Sequence, residues 1–215
     1  MTKIDNFKFI LLQNATLVGE YGIPLVEDNL SSLPTEILPF NIALQLPIEQ
    51  REKTWVHFYI DDYQFERIWN NPFRYLEILK QFKGVIGPNF SMFANMPKAI
   101  SIFNLYRNNT LCNFYKQNGI EIIPCACWTN IESYMWCFET IKENSVISVS
   151  SVGADKQMFI EGFKHLIQMA KPRLVVYFGR FFNELKEYED KVIIFEPFTK
   201  RLHNLKKGDK INGNK

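Results

Sequence analysis

Ser145-Val-Ile-Ser-Val149, then Ser150-Ser151-Val152-Gly153, then a helical run from about Asp155 to Ala170, then Arg173-Leu-Val-Val-Tyr177 form the stretch that decides the fold. Two short apolar runs flank a segment of helical length, and each run stops on polar or glycine residues. Near-continuous apolar strands are buried on both faces, which is the condition of parallel strands covered by crossover helices.

The same unit recurs outward in both directions. Upstream, Trp55-Val-His-Phe-Tyr-Ile60 reads as a strand ending on Asp61-Asp62. Asn71-Pro72 reads as a cap followed by proline at the first helical position, opening a helix to about Phe82. Gly84-Val-Ile-Gly87 is a strand ending on Pro88-Asn89-Phe90-Ser91. Met96-Pro97 opens a long helix that stops at Asn118-Gly119. Ile120-Glu-Ile-Ile-Pro124 is the next strand, and Asn130 caps a helix through Ile141. Downstream, Phe178-Gly179-Arg180 ends a strand, a short helix covers about Asn183–Glu189, and Val192-Ile-Ile-Phe195 ends on Glu196-Pro197. The expectation is an α/β fold with a mostly parallel sheet of six to seven strands, an irregular or incomplete barrel being preferred over an open sheet. Residues 1–50 are expected to be irregular: Ala15–Leu25 as a hairpin or extra strand, Asp28–Glu49 as a Pro-rich loop.

The bulk properties set limits on this. A chain of 215 residues with 47% apolar residues suits one domain, taken as residues 1–199, with a core rich in its 19 Phe. No apolar run approaches the roughly 20 residues of a membrane helix, and Met1–Gln13 lacks the pattern of a signal peptide. The expected location is the cytoplasm, with no membrane partner. The formal charge of +2 is uneven: the last sixteen residues hold six of the 25 Lys/Arg and one of the 23 Asp/Glu. The remainder is therefore acidic by three charges, and the basicity belongs to a tail, 200–215, expected to be disordered.

Ligands of parallel α/β folds bind at the C-terminal ends of the strands. Those ends supply Asp61, Asp62, Asn89, Ser91, Trp128, Ser150, Ser151, Arg180 and Glu196, and the long helix adds Asn104, Arg107 and Asn108 on one face. Asp61, Asp62 and Glu196 are the candidate catalytic carboxylates, suited to proton transfer or a metal. Asp62 has a competing reading as a helix cap before Glu66. Asn89, Ser91, Asn104, Arg107, Asn108, Trp128 and Ser150 are the candidate ligand-binding residues. No GxxxxGK[ST] or GxGxxG stretch names a cofactor. Cys125-x-Cys127 is neither a zinc-ribbon nor a thioredoxin spacing, and buried structural thiols are expected over a metal shared with His57 or Cys137.

The stretches Trp55–Pro72, Gly87-Pro-Asn-Phe-Ser91, Asn104-Leu-Tyr-Arg-Asn108 and Gly119-Ile-Glu-Ile-Ile-Pro124 together resemble the family numbered 4417 among the domains of unknown function. That family occurs in phages, prophages, plasmids and their bacterial hosts. The resemblance covers about residues 15–197. It implies a genomic setting and no established activity. It also marks departures: Asn89 stands where the family usually has Asp, Cys127 where it tends to have Arg, and Tyr177-Phe178 where it tends to have Val-Tyr. The resulting expectation is a phage- or mobile-element-encoded protein with a polar pocket at the strand ends, acting on a nucleotide or nucleic acid. The alternative is a non-catalytic partner of a host protein, such as a replication accessory factor or an inhibitor.

Overall fold

The computed structural model describes residues 8–197. The basic tail, 200–215, lies outside them. A short hairpin comes first: β1 (Leu17–Val18) pairs antiparallel with β2 (Ile23–Pro24). All later strands are parallel. In chain order they are β3 (Ile37–Pro39), β4 (Trp55–His57), β5 (Gly84–Ile86), β6 (Ile122–Ile123), β7 (Val146–Ser150), β8 (Leu174–Phe178) and β9 (Val192–Phe195). Each pairs with its neighbour in sequence, giving a four-stranded sheet β3-β4-β5-β6 and a three-stranded sheet β7-β8-β9. A single parallel bridge, Cys125 to Ser148, joins them.

The expected parallel α/β class is present, with two differences. The strands form two sheets rather than one, and among the described residues no barrel closes. The first sheet is made of strands of two or three residues: Gly87, Pro88 and Pro124 cut β5 and β6 short, β3 ends on Pro39, and β4 stops at His57 although Phe58-Tyr59-Ile60 continue the apolar run. The second sheet has full strands of four and five residues.

The crossovers carry α1 (Phe40–Ala43), α2 (Ile48–Arg51), α3 (Arg67–Asn70), α4 (Pro72–Leu79), α5 (Lys98–Gln117), α6 (Ile131–Phe138) and α7 (Lys156–Ala170). A 3₁₀ turn, Asn183–Lys191, takes the place of the last expected helix. Asn71 and Asn130 occupy the N-cap positions expected of them, but their side chains make no cap bond. Asp155 does cap: Met158 N–H donates to its carboxylate at 3.0 Å.

Strand residues alternate between two apolar layers, as the period of two requires. Leu38, Val56, Val85, Ile122, Ile147, Val149 and Val175 pack with the helices. Their neighbours Ile37, Trp55, Ile86, Ile123, Val146, Val176 and Phe178 form a second buried layer to which no helix contributes. That layer draws on both sheets, so the two sheets cover each other's inner faces. Gly84 is needed there: a Cβ would fall 2.5 Å from the Trp55 ring, which lies across it.

The segment read as a Pro-rich loop contains β3 and two helical turns. Its start also closes the N-terminal ends of the strands. Ile122 N–H donates to Asn29 Oδ1 at 2.7 Å, and Val146 N–H donates to Asp28 Oδ1 at 2.7 Å. Arg173 then pairs with the same Asp28 carboxylate at 2.5 Å.

Candidate functional site

The opposite, C-terminal strand ends enclose a cavity of about 670 Å³. Asp61, Asn89, Ser91, Trp128 and Ser150 all line it. They stand at or just beyond the ends of β4, β5, β6 and β7, so four strand ends deliver them to one place. Tyr59, Gln64, Met92 and Phe159 complete the parts of the wall that bear on chemistry.

The Asn89–Ser91 loop is held from two sides. Asp62 does not act as a helix cap. Its carboxylate reaches across to Ser91, accepting from the backbone N–H at 3.1 Å and from Oγ at 2.8 Å. From α5, Asn104 Nδ2 donates to the Ser91 carbonyl at 2.6 Å. Phe90 N–H donates to Asn108 Oδ1 at 2.7 Å, and Asn108 Nδ2 returns a bond to the Phe90 carbonyl at 3.3 Å. Arg107 sits behind them with its guanidinium 3.7 Å over the Phe90 ring. Its Nη2 donates to Asn104 Oδ1 at 2.6 Å and its Nη1 to Glu66 Oε1 at 2.8 Å. Burial lowers the Arg107 pKa, while Glu66 and Asp62 oppose that.

Asn104, Arg107 and Asn108 therefore stand behind the cavity wall. The i, i+3, i+4 stripe marks the face of α5 that grips the loop, and all three side chains are buried. Arg107 pairs with Glu66 rather than with Asp61. Glu196 is exposed beyond β9 and is not on the wall. Ser151 is tied down, donating from Oγ to the Arg180 carbonyl at 3.0 Å.

What faces the cavity has open valences. Asn89 Oδ1 lies 3.4 Å from Cys125 Sγ, which also lies 3.5 Å from the Tyr59 hydroxyl. The Asn89 amide nitrogen has no partner among the described residues. Ser150 Oγ accepts from Val152 N–H at 3.2 Å, leaving its own proton to give. Asp61 is exposed and shares one oxygen with Gln64 Nε2 at 3.4 Å. Trp128 packs between Phe138, met edge-on with centroids 5.6 Å apart, and Phe159, tilted at 5.3 Å. Gly162 of α7 makes room for it, since a Cβ there would fall 1.9 Å from the indole nitrogen.

Sequence reasoning missed Tyr59, the residue at the floor of the cavity. Burial, then the neighbouring Cys125, push its hydroxyl well above the ordinary value, so it stays neutral. Burial likewise pushes the Cys125 thiol up to about 11, and Cys127 upward as well, which makes both inert as nucleophiles. The two cysteines do not share a face, because β6 ends at Ile123 and the period of two stops before them. Cys125 turns toward Tyr59 and Asn89, whereas Cys127 packs on Met92 and Asn108. Among the described residues no group of three His, Cys, Asp or Glu is placed to hold a metal. No helix among them is long and apolar enough to cross a membrane.

The family model described as "Domain of unknown function (DUF4417)" matches residues 15–198. The chain belongs to that family. It is 36% identical over 157 residues to the Gene 1 protein of Mycobacterium phage L5, covering 68% of this chain and 69% of that protein. It is 32% identical over 172 residues to the Gene 1 protein of Mycobacterium phage D29, covering 72% of this chain and 64% of that one. The chain thus spans less than two thirds of the D29 relative. No solved structure matches it. The family's span contains every residue on the cavity wall and the whole clamp behind it.

Proposed function

We propose that this is a phage- or mobile-element-encoded protein that takes a nucleotide, or the end of a nucleic-acid strand, into the cavity at the strand ends, base first. The observation that carries this is the convergence of Asp61, Asn89, Ser91, Trp128 and Ser150 on one wall from four separate strand ends. The partly exposed rings of Trp128 and of Tyr59, whose other face stacks on Phe178, together with amide and hydroxyl groups suit a heterocyclic base, by stacking and edge hydrogen bonds. The phosphate then stays at the mouth, in solvent. Asp61 is the carboxylate we assign to proton transfer or to a metal carried by the ligand. The same reading treats the two sheets as one incomplete barrel. The Cys125–Ser148 bridge and the shared apolar layer support it, and it accounts for strand ends of both sheets, β4 to β6 from one and β7 from the other, lining one mouth. The whole acts in the cytoplasm of a bacterial host, where the Lys200–Lys215 tail adds positive charge for nucleic acid.

A second reading, a non-catalytic partner of a host protein, is favoured by apolar exposure at the same mouth. Phe93 and Val152 on the wall are 58% and 53% exposed, and nearby in sequence Tyr63 is 79% exposed. Mass spectrometry of the protein purified from its bacterial host separates the two. A nucleotide or oligonucleotide released at about one per chain supports the first reading. A stoichiometric host protein with no released nucleotide overturns it in favour of the second.

A further inference from the structure

A second cavity, of about 380 Å³, shares no lining residue with the first. Its polar wall includes Glu27, Asn113, Lys116 and Lys142. It lies toward the N-terminal ends of the strands. Lys116 is in the last turn of α5, shortly before β6 begins, and Lys142 comes shortly before β7.

Three charges meet there. Lys116 Nζ donates to Glu27 Oε1 at 2.5 Å, and Lys142 pairs with Glu27 Oε2. Bonds from Lys116 and then Lys142 hold the Glu27 carboxyl below the usual carboxylate range, so it is ionised at neutral pH. Two ammonium groups thus share one carboxylate, and the cluster keeps one positive charge. Each ammonium has three hydrogens and spends one on Glu27, which leaves two on each lysine of the cavity wall for another acceptor. A further donor lies in the same wall: the Asn113 amide nitrogen is buried and has no hydrogen-bond partner. A buried N–H without an acceptor is costly and calls for one. An ion-pair network that served stability alone would explain the contacts of Glu27. It would not explain the orphaned amide beside it.

We propose that this cavity is a binding site for a small oxyanion of the phosphate or carboxylate class. Anion oxygens accept from Lys116 and Lys142, and a turn of the Asn113 side chain brings its Nδ2 from its buried position to a further one. Glu27 sets the affinity by competing for the same two lysines. The site is independent of the cavity at the strand C-terminal ends and stands or falls separately from it.

Isothermal titration calorimetry of the full chain with sodium phosphate, and separately with sodium citrate, tests this against sodium chloride of equal ionic strength. A saturable heat with at least one anion is expected, and the stronger binder identifies the source. Lys142→Ala weakens that binding about tenfold or more, the loss of one charge-assisted bond. Glu27→Gln strengthens it, because the internal competitor loses its charge. The opposite signs of the two variants exclude a general loss of folding as the cause. No saturable heat with either anion, or binding unchanged in Lys142→Ala, overturns the proposal.

Discussion

Replacing Arg107 by alanine tests whether the wall of the strand-end cavity depends on the clamp behind it. Three interactions dominate the loss, beside a longer contact with the Phe103 ring at 5.1 Å. The bond from Nη2 to Asn104 Oδ1, at 2.6 Å between buried groups, is a charge-assisted bond of about 1.5–3 kcal/mol. The stacking over Phe90, at 3.7 Å, adds about 0.5–2 kcal/mol. The ion pair with Glu66 adds under about 1 kcal/mol, because that carboxylate is 41% exposed. These terms overlap, so the expected cost is about 3 kcal/mol rather than their full sum. Lysine keeps the charge but not the fork or the flat stacking surface, so Arg107→Lys should recover less than half of the loss. Urea unfolding followed by far-UV circular dichroism measures both variants. Pairing each with Asn104→Ala gives the coupling, expected at about 1–2 kcal/mol. A loss below about 1 kcal/mol in Arg107→Ala, or full rescue by lysine, would refute the reasoning.

Other consequences follow from single contacts. Gly162→Ala gains about 1 kcal/mol of helix propensity but drives a Cβ into the Trp128 indole, so the net change should be a loss of up to about 2 kcal/mol together with altered Trp emission. Full stabilisation with unchanged emission would show that Trp128 does not rest on α7. Glu27→Gln should cost under about 1 kcal/mol at neutral pH, since Glu27 is 35% exposed. The Glu27 carboxyl is lowered in the folded protein, so its contribution is complete above the ordinary carboxylate range and fades as pH falls below about 4. The gap between wild type and Glu27→Gln in thermal unfolding should therefore close in acid. A gap that stays constant from neutral pH to about pH 3 contradicts that sign.

The alternation of apolar runs and helical segments was enough to read a parallel α/β fold, because burial on both faces leaves a continuous apolar signature. It could not show the division into two sheets. That depends on strands of two or three residues and on one bridge at Cys125, and neither has a periodicity to detect. Strand β3 was invisible for the same reason, being three residues ending on a proline. At the site, the rule that polar residues follow buried strands located Asp61, Asn89, Ser91, Trp128 and Ser150. It also gathered residues that serve the scaffold. Nothing in the sequence separates an Arg107 that faces a ligand from one that stacks on Phe90, since both belong to the same stripe of α5. Tyr59 was passed over because an aromatic near a strand end looks like core. Only the neighbouring Cys125 and Asn89, far away in sequence, show it to be part of a polar floor.

The most direct test of the central claim is a fluorescence titration of the full chain with nucleoside monophosphates and a short single-stranded oligonucleotide, beside Trp128→Phe and Asn89→Ala/Ser150→Ala. A saturable quench is expected in the wild type, lost in Trp128→Phe and shifted to at least about tenfold higher ligand in the double variant. A wild type that shows no saturable change with any of these ligands, or a quench that survives Trp128→Phe intact, would contradict it.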